Sequence, residues 1–307
     1  MTDPSKAPPQ WFEDIPVLGR MPPEQAIAKL AELGERVPLD APAASGAEQT
    51  YGLGDFFNRG ARYTAHVFGY IDPNSARSEL VPVHHASNID PDRSLKNARI
   101  KLSLGRLAVA DYPGGGNHLV LFDFCGRHQA AKQMHDLHYN LLVRATQGQR
   151  AGVLNHPIFV GLKVGGEGVQ LRCYTVNIKN EDDEALLQFL DSDVFQAGLK
   201  LVNVAQPALA PLSKMAYGLT RGLAKRHRNV PVQDFRLGLD FTRQPFGACL
   251  REGAYVAVQV PSQFQSTWDW NDWVYSPATA EMVERRAPTA TIPYNYVVFT
   301  VARSEED

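Results

Sequence analysis

Cysteine is scarce in this sequence, and its three residues, Cys125, Cys173 and Cys249, lie far apart without CxxC spacing. An odd number of scattered cysteines argues against a disulfide framework and favours a reducing compartment. Apolar runs are also short, and none approaches the ~20 residues that a membrane-spanning helix needs. The N-terminus continues into prolines instead of the apolar core of a signal peptide. We therefore expect a soluble, cytoplasmic protein.

An excess of charge of either sign is absent as well. The formal net charge is −2 and the sequence pI is about 6.5, so the chain has no global attraction to nucleic acid or anionic lipid. Any such attraction has to come from a local patch. Apolar residues make up 44% of the chain, which is enough to build a sizeable core.

The common enzyme motifs are missing. The sequence contains no GxSxG elbow, no GxxxxGK[ST] loop, no HExxH and no GxGxxG between a strand and a helix. No stretch matches a family motif closely enough to name a family. A catalytic triad can still be assembled in space without any of these motifs, so their absence lowers the expectation of catalysis without excluding it.

The chain divides into an N-terminal extension over residues 1–50 and a main domain over residues 51–307. Trp11 and Phe12 belong to a short apolar cluster in the extension, and Pro22-Pro23-Glu24 predicts the start of a helix. Because this arm carries apolar residues outside the main pattern, we expect it to dock on its own domain, a neighbour or a second protein.

Strand patterns dominate the main domain, and Gly165-Gly166-Glu167-Gly168 predicts a hairpin turn between two of them. The fold is predicted to be mainly β (α+β): an antiparallel β-sandwich, C2-like or jelly-roll-like, with a helical insertion near 182–227 and an N-terminal helical arm. The predicted strands are Arg99–Val109, Leu119–Phe124, Tyr139–Ala145, Ile158–Val164, Val169–Ile178, Gln233–Phe241, Ala254–Val260 and Tyr294–Val301.

Within the insertion, residues 211–227 predict an amphipathic helix. Its apolar face is predicted to contain Leu212, Met215, Ala216, Leu219 and Leu223. The opposite face carries four cations that form a candidate anion-binding stripe for nucleic acid or an anionic lipid surface. These are Lys214, Arg221, Lys225 and Arg228. A solvated helix face, with cations near the helix C-terminus, explains the same pattern.

A histidine-rich stretch is the first candidate metal site. His128, His135 and His138 fall close together in sequence, near Cys125. If the stretch is helical, its three imidazoles share one face and could bind zinc. The alternative is a polar connection between strands with incidental histidines. The pair His84-His85 has the same two interpretations.

Acidic loops are the second candidate, with calcium as the cation. The clusters lie at Asp90-Pro91-Asp92, at residues 181–184, at Asp191-Ser192-Asp193 and at Asp269 with Asp272. Acidic residues that cap helix N-termini explain two of these clusters without any ion. Neither zinc nor calcium is firmly implied.

Three of the four tryptophans lie between residues 268 and 273. In an extended segment Trp268 and Trp270 share a face, so together with Trp11 and Phe12 they are candidate partner-binding residues. The same tryptophans could instead pack at the end of the sandwich.

The leading functional hypothesis is a non-enzymatic binding or assembly protein that acts through protein–protein contacts or self-association. One alternative is a metal-dependent hydrolase that uses His128, His135 and His138. A second is a peripheral C2-like protein that binds anionic membranes, although that likeness is one of architecture only.

Overall fold

A computed structural model describes residues 63–304 with short gaps, at 64, 76–78, 131–132, 149–150, 180–182, 184–186, 188–198, 202–205 and 245–246, and four separate positions, 25, 28, 31 and 32. The predicted N-terminal docking arm, with Trp11 and Phe12, lies outside the described residues. Helical conformation at positions 25, 28, 31 and 32 falls where the N-terminal helix is predicted.

Fifteen strands and one long helix make up the described chain. In chain order they are β1 Ala65–Ile71, β2 Val81–Pro82, β3 His84–His85, β4 Arg99–Ala108, β5 Asn117–Ala130, β6 Gln133–Thr146, β7 His156–Lys163, β8 Gly168–Ile178, β9 Leu199–Lys200, α1 Gln206–Ala224, β10 Val230–Asp240, β11 Ala248–Cys249, β12 Gly253–Val260, β13 Trp273–Ser276, β14 Glu281–Glu284 and β15 Tyr296–Arg303.

These strands form three sheets. The seven-stranded sheet has the order β3-β1-β12-β15-β4-β7-β9, the five-stranded sheet β11-β10-β8-β5-β6 and the small sheet β14-β13-β2. All pairings are antiparallel except the two-residue contacts of β7 with β9 and of β10 with β11. The fold is therefore mainly β and sandwich-like, as the sequence predicts, and all eight predicted strands are confirmed.

The two large sheets pack face to face around the main hydrophobic core. Phe124 of β5 meets Phe299 of β15 edge-on, with ring centroids 6.1 Å apart. A Cβ atom on Gly126 would lie 2.9 Å from the Phe159 ring of β7, so the sheets approach most closely where β5 has no side chain. Even-numbered residues in this part of β5 therefore face the core, and odd-numbered residues face outward.

A second hydrophobic cluster lies on the outer face of the seven-stranded sheet, where the small sheet covers it. Trp270 is 4% exposed and packs onto β1 at Gly69. A Cβ atom at position 69 would lie 2.7 Å from Val83 and 2.8 Å from Trp270. Glycine is required there because the indole occupies the space of a side chain.

The predicted hairpin turn at residues 165–168 is wrong. The turn exists, with the Gly165 N–H donating to the Gly168 carbonyl at 3.2 Å, but the strands beside it do not pair with each other. Strand β7 belongs to the seven-stranded sheet and β8 to the five-stranded sheet. Glycines allow this reversal, since Gly168 has a φ of +122°, but local sequence does not distinguish a hairpin from a crossover between layers.

The helix α1 confirms the helical insertion but ends earlier than predicted, at Ala224. Its buried side is Ala216, Thr220 and Leu223, while Met215 is 44% exposed. The Thr220 hydroxyl is satisfied within the protein, because it donates to the Ala216 carbonyl and accepts from Asn140. This hydrogen bonding lets a polar residue replace part of the predicted apolar face. Among the described residues, no helix is long and apolar enough to cross a membrane.

Candidate functional site

A large cleft opens on one side of the sandwich, between the edges of the two main sheets. Its volume is about 1340 Å³. We call it the lateral cleft. Its lining comes from six separate parts of the chain: residues 66–68 of β1, 85–87 at the end of β3, Arg127 of β5, the crossover turn and the start of β8 at 165–170, residues 236–240, 242, 244 and 247–248 around β10 and β11, and residues 262, 265 and 266.

The strands beside the cleft are incompletely paired on that side. Within the described chain, β1 pairs with β3 through only Gly69 and Tyr70. Strand β10 pairs with β11 through only Leu239 and Asp240. Two long strands, one from each sheet, therefore border the cleft with edges that these short strands cover only at one end.

Hydrogen bonds close that end of the cleft. The Ala86 N–H donates to the Phe68 carbonyl at 3.0 Å, and the Cys249 N–H donates to the Ala86 carbonyl at 3.0 Å. The Leu250 N–H then reaches the Asp240 carbonyl at 2.8 Å. These three bonds connect β1 to β10 through β11, so main-chain hydrogen bonds join the two sheets at this end of the cleft.

The other end is closed by a side chain. The Gln259 amide, at the end of β12, donates to the Val232 carbonyl of β10 at 2.9 Å and to the Tyr63 carbonyl at 2.6 Å. Its own oxygen accepts from Asn295 at 3.1 Å. Gln259 and Asn295 are fully buried. The cleft is therefore a gap between two fixed crossings of the sheets.

The rings of His66 and Phe68 line the base of the cleft, and the ring of Phe235 packs against both. Phe235 of β10 lies with its ring centroid 5.0 Å from that of His66 and 5.8 Å from that of Phe68, both on β1. His66 and Phe235 are buried. The rings separate the cleft from the main core, so a bound segment would rest on an apolar base.

The rim of the cleft is polar and carries both charges. Arg127 and Arg236 supply cations, and Glu167 and Asp240 supply carboxylates. Glycines at several lining positions leave the main chain accessible; at Gly166 and Gly238 a Cβ atom would meet nothing within 4 Å. Such a surface can contact main-chain groups as well as side chains.

His85 and Ser87 form a hydrogen-bonded pair at this rim. The His85 Nδ1 accepts from the Ser87 N–H at 3.2 Å and lies 2.7 Å from the Ser87 hydroxyl. Partial burial lowers the pKa of His85. Nucleophilic catalysis needs a third group that orients the histidine, and within the described chain no carboxylate bonds to His85. The pair fits a local turn in which the ring caps a backbone N–H.

A buried polar face lies beside the cleft, on the outer side of the five-stranded sheet. Asp123 of β5 accepts from the His138 Nδ1 at 2.9 and 3.1 Å, and the two side chains are 0% and 7% exposed. Arg172 of β8 and Asp234 of β10 form a second pair, and Arg127 bonds to Asp136 at 3.1 Å. The two arginine–aspartate pairs thus place charges of opposite sign on neighbouring strands.

Helix α1 covers the deepest part of this polar face. Tyr217 packs against His138 with ring centroids 5.1 Å apart, and Thr220 accepts from the Asn140 amide at 2.9 Å. Polar contacts therefore fix the helix over the sheet in one register.

The thiol next to this face is not activated. Cys125 lies opposite His138 and Arg172 in the strand register and is 1% exposed. Burial, with the charges of Asp123 and Asp136, raises the pKa of Cys125 well above its usual value. A nucleophilic cysteine needs the opposite shift, so Cys125 is a structural thiol.

The histidine-rich stretch is a β-hairpin and not a helix. His128 and His135 face each other across β5 and β6 in the register, while His138 is held by Asp123. Among the residues whose side chains the structure describes, no three His, Cys, Asp or Glu residues are placed to hold a metal ion. Zinc at His128, His135 and His138 stays an untested prediction.

The described acidic residues serve local structure. Asp92 accepts from the Ser94 N–H at 2.9 Å and caps the 3₁₀ helix Arg93–Leu95. Asp269 likewise accepts from the Asn271 N–H at 2.9 Å. Asp183 accepts from Arg226 and from Asn229. Asp191 and Asp193 lie outside the described residues.

The tryptophans are brought together. Trp268 stacks on Trp273 with centroids 5.4 Å apart and meets Trp270 edge-on at 5.6 Å. Trp270 is buried and Trp268 half-buried. The cluster stabilises the small sheet, and only the edge around Trp268 and Trp273 faces solvent.

The predicted basic stripe is divided by the end of α1. Arg221 lies in the last turn, whereas Lys225 and Arg228 follow the helix, and Arg228 has a φ of +70°. All three are exposed. The side chain of Lys214 lies outside the description. The continuous helical face that the sequence predicts therefore does not extend to Arg228.

The lateral cleft was missed at the sequence level, because its lining is gathered from six segments by tertiary structure. The only local signal was the glycine-rich turn at 165–168. No family model, curated protein or solved structure matches this chain.

Proposed function

We propose that this chain is a non-enzymatic binding protein that takes an extended segment of a protein partner into the lateral cleft as an added β-strand. The observation that carries this proposal is the gap between β1 and β10, two strands of different sheets whose facing edges are only partly paired in the described chain. Strand edges present N–H and C=O groups that an extended peptide can bond.

The partly paired edges support an added strand. An extended segment can pair with one open edge at the usual strand spacing of about 4.8 Å. In such one-sided pairing, every second residue of the segment bonds to the sheet edge. The crossings at Ala86 and at Gln259 hold the edges in place, so little ordering is needed on binding.

The lining supports a peptide over a small substrate. A cleft of about 1340 Å³ exceeds the roughly 300–1,000 Å³ of most small-molecule sites. The rings of His66 and Phe68 at the base and the mixed charges at the rim suit the alternating side chains of a strand. Free, buried cysteines support cytoplasmic location as part of the same proposal.

Peptide display on the full chain provides the test, followed by calorimetry with a selected peptide and with analogues methylated at single backbone nitrogens. Strand addition predicts a period of two: methylation at every second residue abolishes binding, because those N–H groups bond to the sheet edge. Methylation at the intervening residues is tolerated. Uniform tolerance, or failure to select any peptide, contradicts the proposal.

A matched pair of variants locates the site. In Gly238→Trp the new side chain occupies open space at the cleft and should weaken the peptide by about tenfold or more. Gly222→Trp, on the exposed surface of α1 with open space around it, should leave affinity unchanged. Light scattering then shows whether the segment comes from another protein or from a second copy of this chain.

A further inference from the structure

A second groove lies on the outer face of the seven-stranded sheet, away from the lateral cleft. Its volume is about 510 Å³, within the range of small-molecule sites. Its walls are apolar, with Tyr275 and Met282 from the small sheet on one side and Leu154 on the other. Leu154 is 78% exposed. We call it the outer groove.

The floor of the outer groove is made of small and apolar residues. Gly105 of β4 lies at an irregularity in the pairing with β15, next to Val298, and Ala254 of β12 lies on the other side of that strand. Because these residues have small side chains, the floor of the groove lies below its walls. The outer face of the sheet is therefore concave here and not covered by the small sheet.

Two cations in the outer groove have no partner among the described residues. Arg106 has no hydrogen bond or ion pair within the described chain, and its Nη1 atom is fully buried. Lys101, on the same strand and in the same groove, also has no such partner among the described residues. A buried guanidinium nitrogen without an acceptor is costly.

Carboxylates in the same groove are already engaged. Glu252 pairs with Arg303 at 3.8 Å and accepts from the Arg303 N–H at 2.9 Å. Asp72 pairs with Arg251 at 3.9 Å and caps Asn74 at 2.8 Å. The groove therefore combines apolar walls with uncompensated positive charge at Arg106 and Lys101.

From this combination we infer that the outer groove binds an aliphatic carboxylate, with the alkyl chain along Met282 and Tyr275 and the carboxylate on Arg106 and Lys101. A guanidinium matches a carboxylate through two parallel hydrogen bonds. The chain would bury apolar surface against the walls. This inference does not depend on the lateral cleft.

Dodecanoate, below its micelle concentration, is the probe, and calorimetry on the full chain is the measurement. The expected result is saturable binding at one site. Dodecyltrimethylammonium has the same chain with a cationic head and should bind about tenfold more weakly or worse, since its charge opposes that of the groove. Equal binding of the two amphiphiles overturns the inference.

Variants test the cations directly. Arg106→Met should weaken dodecanoate about tenfold, and Lys101→Met less, while Arg286→Met, an exposed arginine outside the groove, should change affinity by less than about twofold. Arg106 has no described partner to lose, so the variant should fold; its unfolding midpoint checks this. Equal affinities of the Arg106 and Arg286 variants overturn the assignment.

Methyl-labelled methionine provides an independent readout of position. Met282 is 1% exposed at the groove wall, and Met215 is 44% exposed on α1. Dodecanoate should shift the Met282 methyl resonance and leave Met215 in place. Binding without a Met282 shift overturns the inference. So does tighter, competing binding of an acidic peptide with apolar residues, because the occupant would then be a peptide.

Discussion

Arg172 and Asp234 form a bidentate ion pair on the outer face of the five-stranded sheet, with Nε–Oδ1 and Nη2–Oδ2 distances of 2.9 and 2.8 Å. Their side chains are 3% and 5% exposed. Two parallel charge-assisted bonds fix the pair in orientation. Because both groups are removed from water, each contributes strongly to the solvation of the other.

Removing one member of this pair should therefore cost more than removing both. We expect Asp234→Asn to lower the free energy of unfolding by about 3–5 kcal/mol, since the guanidinium stays buried without its counter-charge. The double variant Arg172→Met/Asp234→Leu should lose less. Urea unfolding of the single and double variants measures both. A double variant at least as unstable as Asp234→Asn would contradict this account.

His118 should make the stability of the protein depend on pH. Burial, and then the charge of Lys179, lower its pKa to about 4, and its Nδ1 accepts from the Asn177 amide at 3.1 Å. The unfolded chain therefore binds a proton at higher pH than the folded chain does. Stability from this residue is complete above the unfolded pKa, about 6.5, and is lost as pH falls toward 4.

The matching measurement compares the natural chain with His118→Leu by urea unfolding at pH 7 and pH 5. We expect the natural chain to lose about 2 kcal/mol more than the variant between these two values. The substitution also leaves the Asn177 amide without its acceptor, which lowers the stability of the variant. Because we compare the loss of stability between the two pH values, and not the absolute stabilities, this cost cancels. Equal losses of stability in the natural chain and the variant would show that folding does not keep His118 neutral at pH 5.

Gly69 should not tolerate a methyl group. In Gly69→Ala the new Cβ lies within 2.9 Å of Val83 and Trp270, so we expect a loss of about 1–3 kcal/mol from overpacking. Gly222→Ala, exposed in α1 with open space around it, is the control and should gain about 0.5–1 kcal/mol. Thermal unfolding of the two variants measures the contrast. Similar effects of both would mean that Trp270 is not seated on β1.

The three thiols should be unreactive in the folded protein. Cys125, Cys173 and Cys249 are each no more than 1% exposed, and burial raises the pKa of all three. We expect a chromogenic disulfide reagent to titrate less than one thiol before unfolding, and all three after it. Rapid modification of a native thiol would show that its surroundings open.

Much of the fold could be predicted from sequence because strand alternation is local. Phe235, Leu237 and Leu239 alternate with polar neighbours, and this pattern fixes the buried side of β10. Strand β1 was missed, since its sequence is apolar on both faces; the main core covers one side and the small sheet the other. The outer half of the β5–β6 hairpin was missed as well, because residues 127–136 contain no β-branched residue.

The candidate sites could not be predicted to the same degree. The Asp123–His138 pair joins residues 15 apart, and only the hairpin register shows that they meet. Arg106 looks like any cation on an alternating strand until the neighbouring carboxylates are seen to be engaged elsewhere. These properties depend on which groups find partners across the fold, and spacing along the chain does not contain that information.

The position of β15 has a consequence for synthesis of the protein. Strand β15 lies between β12 and β4 in the middle of the seven-stranded sheet, although it follows both of them in the chain. Until β15 is synthesised, the nascent chain carries two apolar strands with no neighbour between them, a state prone to aggregation. Truncation shortly before Tyr296 would make that state permanent.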